Sequence, residues 1–188
     1  MKVDTKRIEQ IALDLLEAIG EDVTRKGLKD TPRRWARWWQ EFIDYRDDNL
    51  GTTFEVVKLD QLVALTGVRV WSLCEHHLLP FYCDLTIAYL AHDRIIGISK
   101  LARIARKHAQ RLNVQEALVC SIADDVARYT HSQDVAVIAS GRHLCMTMRG
   151  IRADAVMVSN EMRGKFASDV SLRMELLRMV EHNGTSSL

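Results

Sequence analysis

Two short segments of the sequence each combine cysteine with histidine. In Cys74-Glu75-His76-His77, the first and last residues are three apart, so one loop or turn can present both to a single ion. His143-Leu144-Cys145 supplies a further imidazole and a further thiolate. Two cysteines and one histidine form a ligand set that suits zinc, a borderline-soft ion. Three protein ligands leave a fourth position for water, which predicts a catalytic zinc site rather than a structural one.

The imidazoles left outside such a ligand set could act as general acid and base. The alternative is a turn with surface histidines and two unrelated buried cysteines, because a single Cys-x-x-His is a weak signal. The second segment favours the metal site. The other two cysteines, Cys83 and Cys120, have no such neighbours and are interpreted as small buried hydrophobic residues.

A second group of residues is suited to binding anions. Ser99-Lys100 opens a predicted helix, with Ser99 as a natural N-cap, and Arg103 follows one turn later. Basic side chains in a first turn oppose the helix dipole unless an anionic ligand is bound there. The alternative is a solvated basic face. The same alternative applies to the arginines that flank a stripe of tryptophans, Arg33, Arg34 and Arg37.

Two further residues lie close in sequence to these candidate groups. Arg149 follows Cys145 by four residues and could bring a guanidinium near the metal-binding segment. Glu116 has two interpretations that the spacing leaves open. It could accept hydrogen bonds from a guanine edge, or it could complete a capping box that begins at Asn113.

Hydrophobic periodicity predicts the elements that must position these residues. Two helices, 5–19 and one beginning at Thr31-Pro32, are followed by strands 68–73 and 85–90, helices 99–112 and 115–129, strands 135–139 and 155–158, and a helix 169–182. This order predicts an α+β fold on an antiparallel sheet. The polar stretch 44–53 predicts a boundary between an N-terminal helical arm, residues 1–50, and a catalytic domain, residues 51–188.

Bulk composition limits the classes of function. The chain has 188 residues, 47% of them apolar, and a formal charge of +1, which argues against a nucleic-acid partner. No apolar run approaches the roughly 20 residues of a membrane span, and the N-terminus lacks the apolar segment of a signal peptide. We therefore expect a cytoplasmic protein with no membrane partner and no disulfide framework.

Several separated segments, in the right order and over most of the chain, resemble the GTP cyclohydrolase I family. The segments are Gly20-Glu21-Asp22, Asp30-Thr31-Pro32-Arg33-Arg34, Cys74-Glu75-His76-His77-Leu78-Leu79-Pro80-Phe81, Ile96-Gly97-Ile98-Ser99-Lys100-Leu101-Ala102-Arg103-Ile104, Gln110-Arg111-Leu112-Asn113-Val114-Gln115-Glu116 and His143-Leu144-Cys145-Met146-Thr147-Met148-Arg149-Gly150. The resemblance implies the tunnelling fold, in which ββααββ units form a ring. Five chains would close their sheets into a barrel, two pentamers would stack as a homodecamer, and active sites would lie between subunits.

The resemblance also implies a role for each matching residue. Zinc (Zn2+) would be held by Cys74, His77 and Cys145. His143 would shuttle protons for the water that attacks C8 of GTP, and His76 would protonate the substrate during ring opening. The guanine edge would be read by Glu116, with Gln115 beside it. The triphosphate and ribose would be held by Ser99, Lys100, Arg103 and Arg149, with Arg34 and Arg37 reaching in from a neighbouring chain. Ser99 would also be a catalytic residue.

The implied reaction hydrates C8, releases formate, rearranges the ribose and closes 7,8-dihydroneopterin triphosphate. His143 and Cys145 are two residues apart, so on an extended segment both side chains would face the zinc-bound water. This spacing predicts that His143 is a proton shuttle and not a ligand.

The sequence also departs from the family pattern, at positions outside the implied zinc ligands: Cys83, Asp84, Thr86, Ser140, Asn160 and Glu161. One alternative is therefore a family member that takes another purine triphosphate or stops at the ring-opened formamide. A non-catalytic zinc or nucleotide-binding protein is disfavoured because it has no use for His76 and His143. A nucleic-acid binder using the tryptophans and their arginines is disfavoured by the near-neutral charge.

Overall fold

The chain divides into two units, Met1–Arg46 and Asp47–Leu188. The computed structural model describes residues 3–45, 53–55 and 60–184. The boundary predicted at residues 50 and 51 lies outside the described residues. Within the described residues, no helix combines the length and apolar character that crossing a bilayer requires.

The first unit is a pair of helices, α1 (Thr5–Ala18) and α2 (Thr31–Ile43). Helix α2 begins at Thr31, as predicted, with Asp30 at its N-cap position. The Asp30 carboxylate caps no backbone amide and instead forms ion pairs with the guanidinium groups of Arg33 and Arg34. The predicted aromatic stripe is present on α2, where the rings of Trp38 and Phe42 stack with 5.5 Å between centroids.

The second unit follows the predicted strand-strand-helix-helix-strand-strand order, with additional short elements. In chain order it contains β1 (Thr53–Glu55), β2 (Gln61–Cys74), β3 (Pro80–Ala91), β4 (Arg94–Ile96), α3 (Ile98–Ala109), β5 (Leu112–Asn113), α4 (Gln115–Thr130), β6 (Val135–His143), α5 (Leu144–Thr147), β7 (Met157–Met162), α6 (Lys165–Ser168) and α7 (Val170–Gly184). The predicted α+β class and ββααββ order are confirmed.

The main sheet has the strand order β5-β2-β3-β6-β7 and is antiparallel except for β5, which runs parallel to β2. Strand β2 begins at Gln61 rather than at Val68, and its register shifts between Leu65 and Val68. Gly67 lies at this irregularity with a φ of +71°, a conformation that glycine adopts without steric cost. The predicted strand 68–73 is therefore only the part of β2 that follows this irregularity.

Helices α3 and α4 cover one face of the sheet. Their predicted apolar positions, including Ile104 and Leu118, are fully buried against strand residues such as Ile87 and Val137. Strand β3 is also covered on its other face near its end, where Leu90 packs with Phe166 of α6 and Leu176 of α7. Because the second half of β3 is enclosed from both sides, its sequence from Leu85 to Ala91 is a nearly continuous apolar run.

Two predicted helix caps are wrong. Helix α3 has Gly97 at its N-cap position, and Ser99 is an exposed residue of its first turn. Helix α4 has Val114 at its N-cap position, because the Asn113 amide instead donates to Ser72 Oγ and to the carbonyl of His108, both at 3.0 Å. Asn113 and Glu116 therefore form no capping box, which excludes that interpretation of Glu116.

A buried carboxylate joins α3 to α4. Asp125 of α4 accepts hydrogen bonds from Lys107 Nζ and His108 Nε2 of α3, both at 2.8 Å, and pairs with Arg128 at 2.6 Å. Burial by itself would raise the pKa of Asp125. The hydrogen bonds from His108 and Lys107 outweigh burial and lower the pKa to about 2.

We predict that Asp125 stabilises the fold in a pH-dependent manner. Its pKa is below the ordinary value of 3.8, so the stabilisation is present above that value and is lost as the pH falls through about 2. The difference in unfolding free energy between the wild type and Asp125→Asn should shrink by about 2 kcal/mol between neutral pH and the acid limit. Urea unfolding at a series of pH values measures it. Asp124→Asn, at an exposed neighbouring carboxylate, is the control, and an equal pH dependence in both variants would contradict the assignment.

Candidate active site

The end of β2 and the loop after it bring Cys74 and His77 together. The carbonyl of Cys74 accepts hydrogen bonds from the backbone N–H groups of His77, at 3.3 Å, and Leu78, at 2.8 Å. This turn folds His77 back over the strand end, so that its Nδ1 lies 3.5 Å from Cys74 Sγ. Leu78 adopts a left-handed backbone conformation with a φ of +55°, which lets the chain reverse into β3.

Cys145 reaches the same place from β6. Strand β6 ends at His143, and Cys145 lies in the short helix α5 that follows directly. The ligand atoms of Cys74, His77 and Cys145 all lie within 4.8 Å of one another. The premise that residues 143 and 145 share an extended segment is wrong, because the chain turns into a helix at Leu144. The end of β6 and the helical turn after it bring the thiol of Cys145 close to that of Cys74. The alternation of side chains along an extended strand does not account for this approach.

The donor chemistry of this group fits zinc. Two sulfur atoms and one imidazole nitrogen form a three-ligand set of the kind found in catalytic zinc sites. Burial raises the pKa of the Cys145 thiol, and the hydrogen bond with Cys74 raises it further. A cation between the two sulfur atoms would reverse this effect and stabilise both thiolates. Cys74 is buried, Cys145 is half-buried and His77 is exposed, so the group opens to solvent on the side of the loop.

His143 lies beside this group on the buried face of the sheet. Phe81 of β3 is its register partner, and the two rings stack with centroids 4.4 Å apart and planes inclined by 7°. Its Nε2 lies 2.9 Å from Oε1 of Gln115. Burial lowers the pKa of His143, and the negative charge of Glu116 partly opposes this shift. The structure therefore favours a neutral imidazole near neutral pH.

Gln115 is buried at the start of α4. Its side chain is 1% exposed, and its Nε2 lies 3.2 Å from the carbonyl oxygen of Ala139, 3.0 Å from that of Met157 and 3.0 Å from Ser159 Oγ. The Gln115 amide nitrogen is therefore bonded inside the sheet, and the expected role of this residue beside Glu116 at a guanine edge stays a prediction. Glu116 itself is exposed at the start of α4, and its charge acts on His143.

The remaining predicted residues lie on four different elements. His76 is exposed on the loop beside His77, with 6.2 Å between ring centroids. Arg149 is exposed after α5, and its charge acts on the Cys145 thiol. In the first turns of α3, Ser99 is exposed, Lys100 is buried and Arg103 is half-buried. The arginines of the helical unit, Arg34 and Arg37, are both exposed on α2.

Three residues around His143 were not predicted as part of the site: Phe81, Cys83 and Gly141. Cys83 and Gly141 are register partners on β3 and β6, and Cys83 is fully buried, as predicted for a small hydrophobic residue. Gly141 is two residues before His143 and therefore faces the same side of β6. That spacing was visible in the sequence. The pairing of β3 with β6, which places Phe81 and Cys83 there, was not.

The comparisons with known proteins agree over nearly the whole chain. A profile of the family GTP cyclohydrolase I matches residues 8–181. The GTP cyclohydrolase 1 of Hyperthermus butylicus is 44% identical over 181 residues, which cover 96% of this chain and 93% of that protein. The proteins of the same name from Sulfurihydrogenibium sp. and Clostridium perfringens strain 13 are 39% and 42% identical, covering 96% and 95% of this chain and 97% and 98% of their own lengths.

The sequence motifs, the three-ligand group at the end of the sheet and this agreement over full length lead to one assignment. The chain is a hydrolase that belongs to the GTP cyclohydrolase I family.

Proposed function

We propose that this chain is a zinc-dependent enzyme that hydrolyses GTP at C8 of the guanine ring, releases formate and forms 7,8-dihydroneopterin triphosphate. The observation that carries the proposal is the close approach of Cys74, His77 and Cys145 in a chain of this family. The donor set suits zinc, and the opening toward solvent leaves room for water and substrate.

Zinc would be held by the two thiolates and by the imidazole of His77. When bound, it would lower the pKa of a coordinated water to about 7 and polarise the oxygen for attack. The turn that returns His77 to Cys74 orients the imidazole, and the short helix after β6 orients Cys145.

The protein residues would divide the remaining tasks. His143, held neutral by burial, takes a proton from the attacking water and returns it to the purine. Glu116, free of any capping role, accepts hydrogen bonds from the guanine edge. His76, exposed on the loop beside the ligand group, supplies a proton later in ring opening.

The triphosphate and ribose would be bound by basic groups. A helix N-terminus and positively charged side chains both attract phosphate, and the start of α3 offers the two together. The residues assigned to this task are Ser99, Lys100, Arg103 and Arg149, with Arg34 and Arg37 contributed by a neighbouring chain.

Incubation of zinc-loaded protein with GTP tests the reaction. We expect one formate and one neopterin-type product per GTP consumed, measured by a formate assay, fluorescence and mass spectrometry on the same samples. Accumulation of the ring-opened formamide without formate would show a family member that stops early. Turnover of another purine triphosphate in preference to GTP would show altered substrate choice.

The metal assignment predicts a loss of zinc when one thiol is removed. Cys145→Ser should leave the purified protein with little zinc, because a neutral hydroxyl is a much weaker ligand than a thiolate. Cys120→Ser is the matched control, since Cys120 lies within 3.5 Å of Glu161 and outside the ligand group, and it should keep full zinc content. Stoichiometric zinc in Cys145→Ser would show that this ligand assignment is wrong.

We also propose a ring-based homo-oligomer, a decamer of two pentamers. In the described sheet β7 pairs only with β6, which leaves an edge that a second chain can complete, and Val158 on this strand is 65% exposed. Light scattering should give a mass that is a multiple of the 21.5 kDa chain, and Val158→Lys should reduce it because edge charges oppose strand pairing. A fully active monomer of 21.5 kDa would contradict the assembly.

A further inference from the structure

The side-chain amide of Gln115 has a fixed orientation inside the sheet. Its nitrogen lies within hydrogen-bond distance of the carbonyl oxygens of Ala139 and Met157 and of Ser159 Oγ, at 3.0 to 3.2 Å. Carbonyl oxygens can only accept hydrogen bonds, so the amide N–H groups must face them. The Oε1 atom of Gln115 must therefore point the other way, toward β3 and the end of β6.

The orientation of the amide determines which nitrogen of His143 carries hydrogen. Oε1 of Gln115 lies 2.9 Å from His143 Nε2, and an amide oxygen has no hydrogen to give. His143 Nε2 must therefore be the donor. In a neutral imidazole the other nitrogen, Nδ1, then carries a lone pair. Within the described part of the chain, Nδ1 has no hydrogen-bond partner.

The thiol of Cys83 donates a second hydrogen bond to the same oxygen. Its Sγ lies 3.4 Å from Gln115 Oε1. Burial raises the pKa of Cys83 to about 12, with a further contribution from Asp84, so the group remains a thiol and donates its hydrogen. Both lone pairs of the amide oxygen are thus engaged, one by the thiol and one by the imidazole.

Gly141 provides the space for this arrangement. A Cβ at this position would lie 2.1 Å from Gln115 Oε1 and 2.9 Å from Cys83 Sγ. The φ angle of Gly141 is not positive, so its backbone conformation does not require glycine. Glycine is therefore needed here for close approach and not for chain reversal.

We propose that Gln115 is a positioning residue that holds His143 as the tautomer with hydrogen on Nε2, so that Nδ1 is the nitrogen that takes up the proton in the reaction. This inference rests on the proposed role of His143 as proton shuttle. The attacking water forms its bond to C8 as its proton moves to Nδ1. The electron pair of the C8–N7 double bond moves to N7, which then receives the proton from Nδ1. The Phe81 ring, stacked on the imidazole, limits rotation of the ring away from this geometry.

The tautomer can be read directly from nitrogen NMR. Solid-state spectra of zinc-loaded protein labelled with 15N at histidine side chains distinguish a nitrogen that carries hydrogen from one that does not. The His143 signals are identified by their absence in His143→Ala, which should itself lose about 10²–10⁴-fold in turnover. We expect hydrogen on Nε2 and none on Nδ1 above neutral pH. Hydrogen on Nδ1 would overturn the inference.

Gly141→Ala tests the connection between the amide and catalysis without changing either polar side chain. The added methyl displaces Oε1, so both tautomers should become populated, and kcat should fall roughly 10- to 100-fold, as is typical when an outer partner that orients an imidazole is lost. Zinc content and the KM for GTP should change little. Ser159→Ala is the matched control, because the amide nitrogen keeps its two carbonyl acceptors and the wild-type tautomer should persist.

The outcomes separate this inference from the proposed function. If Gly141→Ala keeps the wild-type tautomer and rate, or if Ser159→Ala changes them equally, the positioning role is wrong even though GTP is hydrolysed. If the wild-type tautomer is as expected but GTP yields no formate, the positioning contact is supported and the proposed reaction is wrong. If Gly141→Ala does not fold, the wild-type spectrum and Cys83→Ala, which keeps the amide-imidazole bond and should keep the tautomer, decide the matter.

Discussion

The register between β2, β3 and β6 is the constraint on which the candidate site depends. Leu73 pairs with Pro80, and Phe81 pairs with His143. The C-terminal ends of β2 and β6 and the N-terminal end of β3 therefore lie side by side at one end of the strands. Cys74 and His143 are brought to one place by this alignment alone. A slip of one residue would turn every side chain of the shifted strand to the other face and separate the groups.

The same alignment also places the start of α4 beside the end of β2. Strand β5 runs parallel to the end of β2 and pairs Asn113 with Cys74. Gln115, two residues later, donates from its amide nitrogen to the carbonyl groups of Ala139 in β6 and Met157 in β7. A buried amide without partners would cost several kcal/mol, so the full set of bonds that stabilises this amide also restricts where its oxygen can point. Sheet packing and imidazole orientation are in this way parts of one network.

The order of elements and the candidate metal-binding residues could be predicted because each depends on local sequence. Apolar spacing marked α3 and α4, and the cluster of ligands around Cys74 and Cys145 was apparent from residue types. The predicted caps at Ser99 and Asn113 were wrong, and at Asn113 a tertiary contact decided between competing local options. Asn113 illustrates this, since its side chain binds Ser72, which is distant in sequence.

The surroundings of His143 could not be predicted from the sequence, because they depend on long-range strand pairing. The burial of Gln115 beside the exposed Glu116 could not be predicted, because adjacent residues at a helix start can point into the core and into solvent respectively. Cys83 and Gly141 acquire meaning only from their pairing across β3 and β6, and neither residue type alone indicates a contact with an amide oxygen.

Two thiolates and one imidazole would hold zinc, with His143 outside the coordination sphere. X-ray absorption at the zinc edge of the intact protein measures this most directly. We predict two sulfur atoms at about 2.3 Å, with one imidazole nitrogen and one exchangeable oxygen at about 2.0 to 2.1 Å. The same spectrum should be obtained from His143→Ala. A first shell with two imidazoles, with fewer than two sulfur atoms, or with a composition altered in His143→Ala would contradict it.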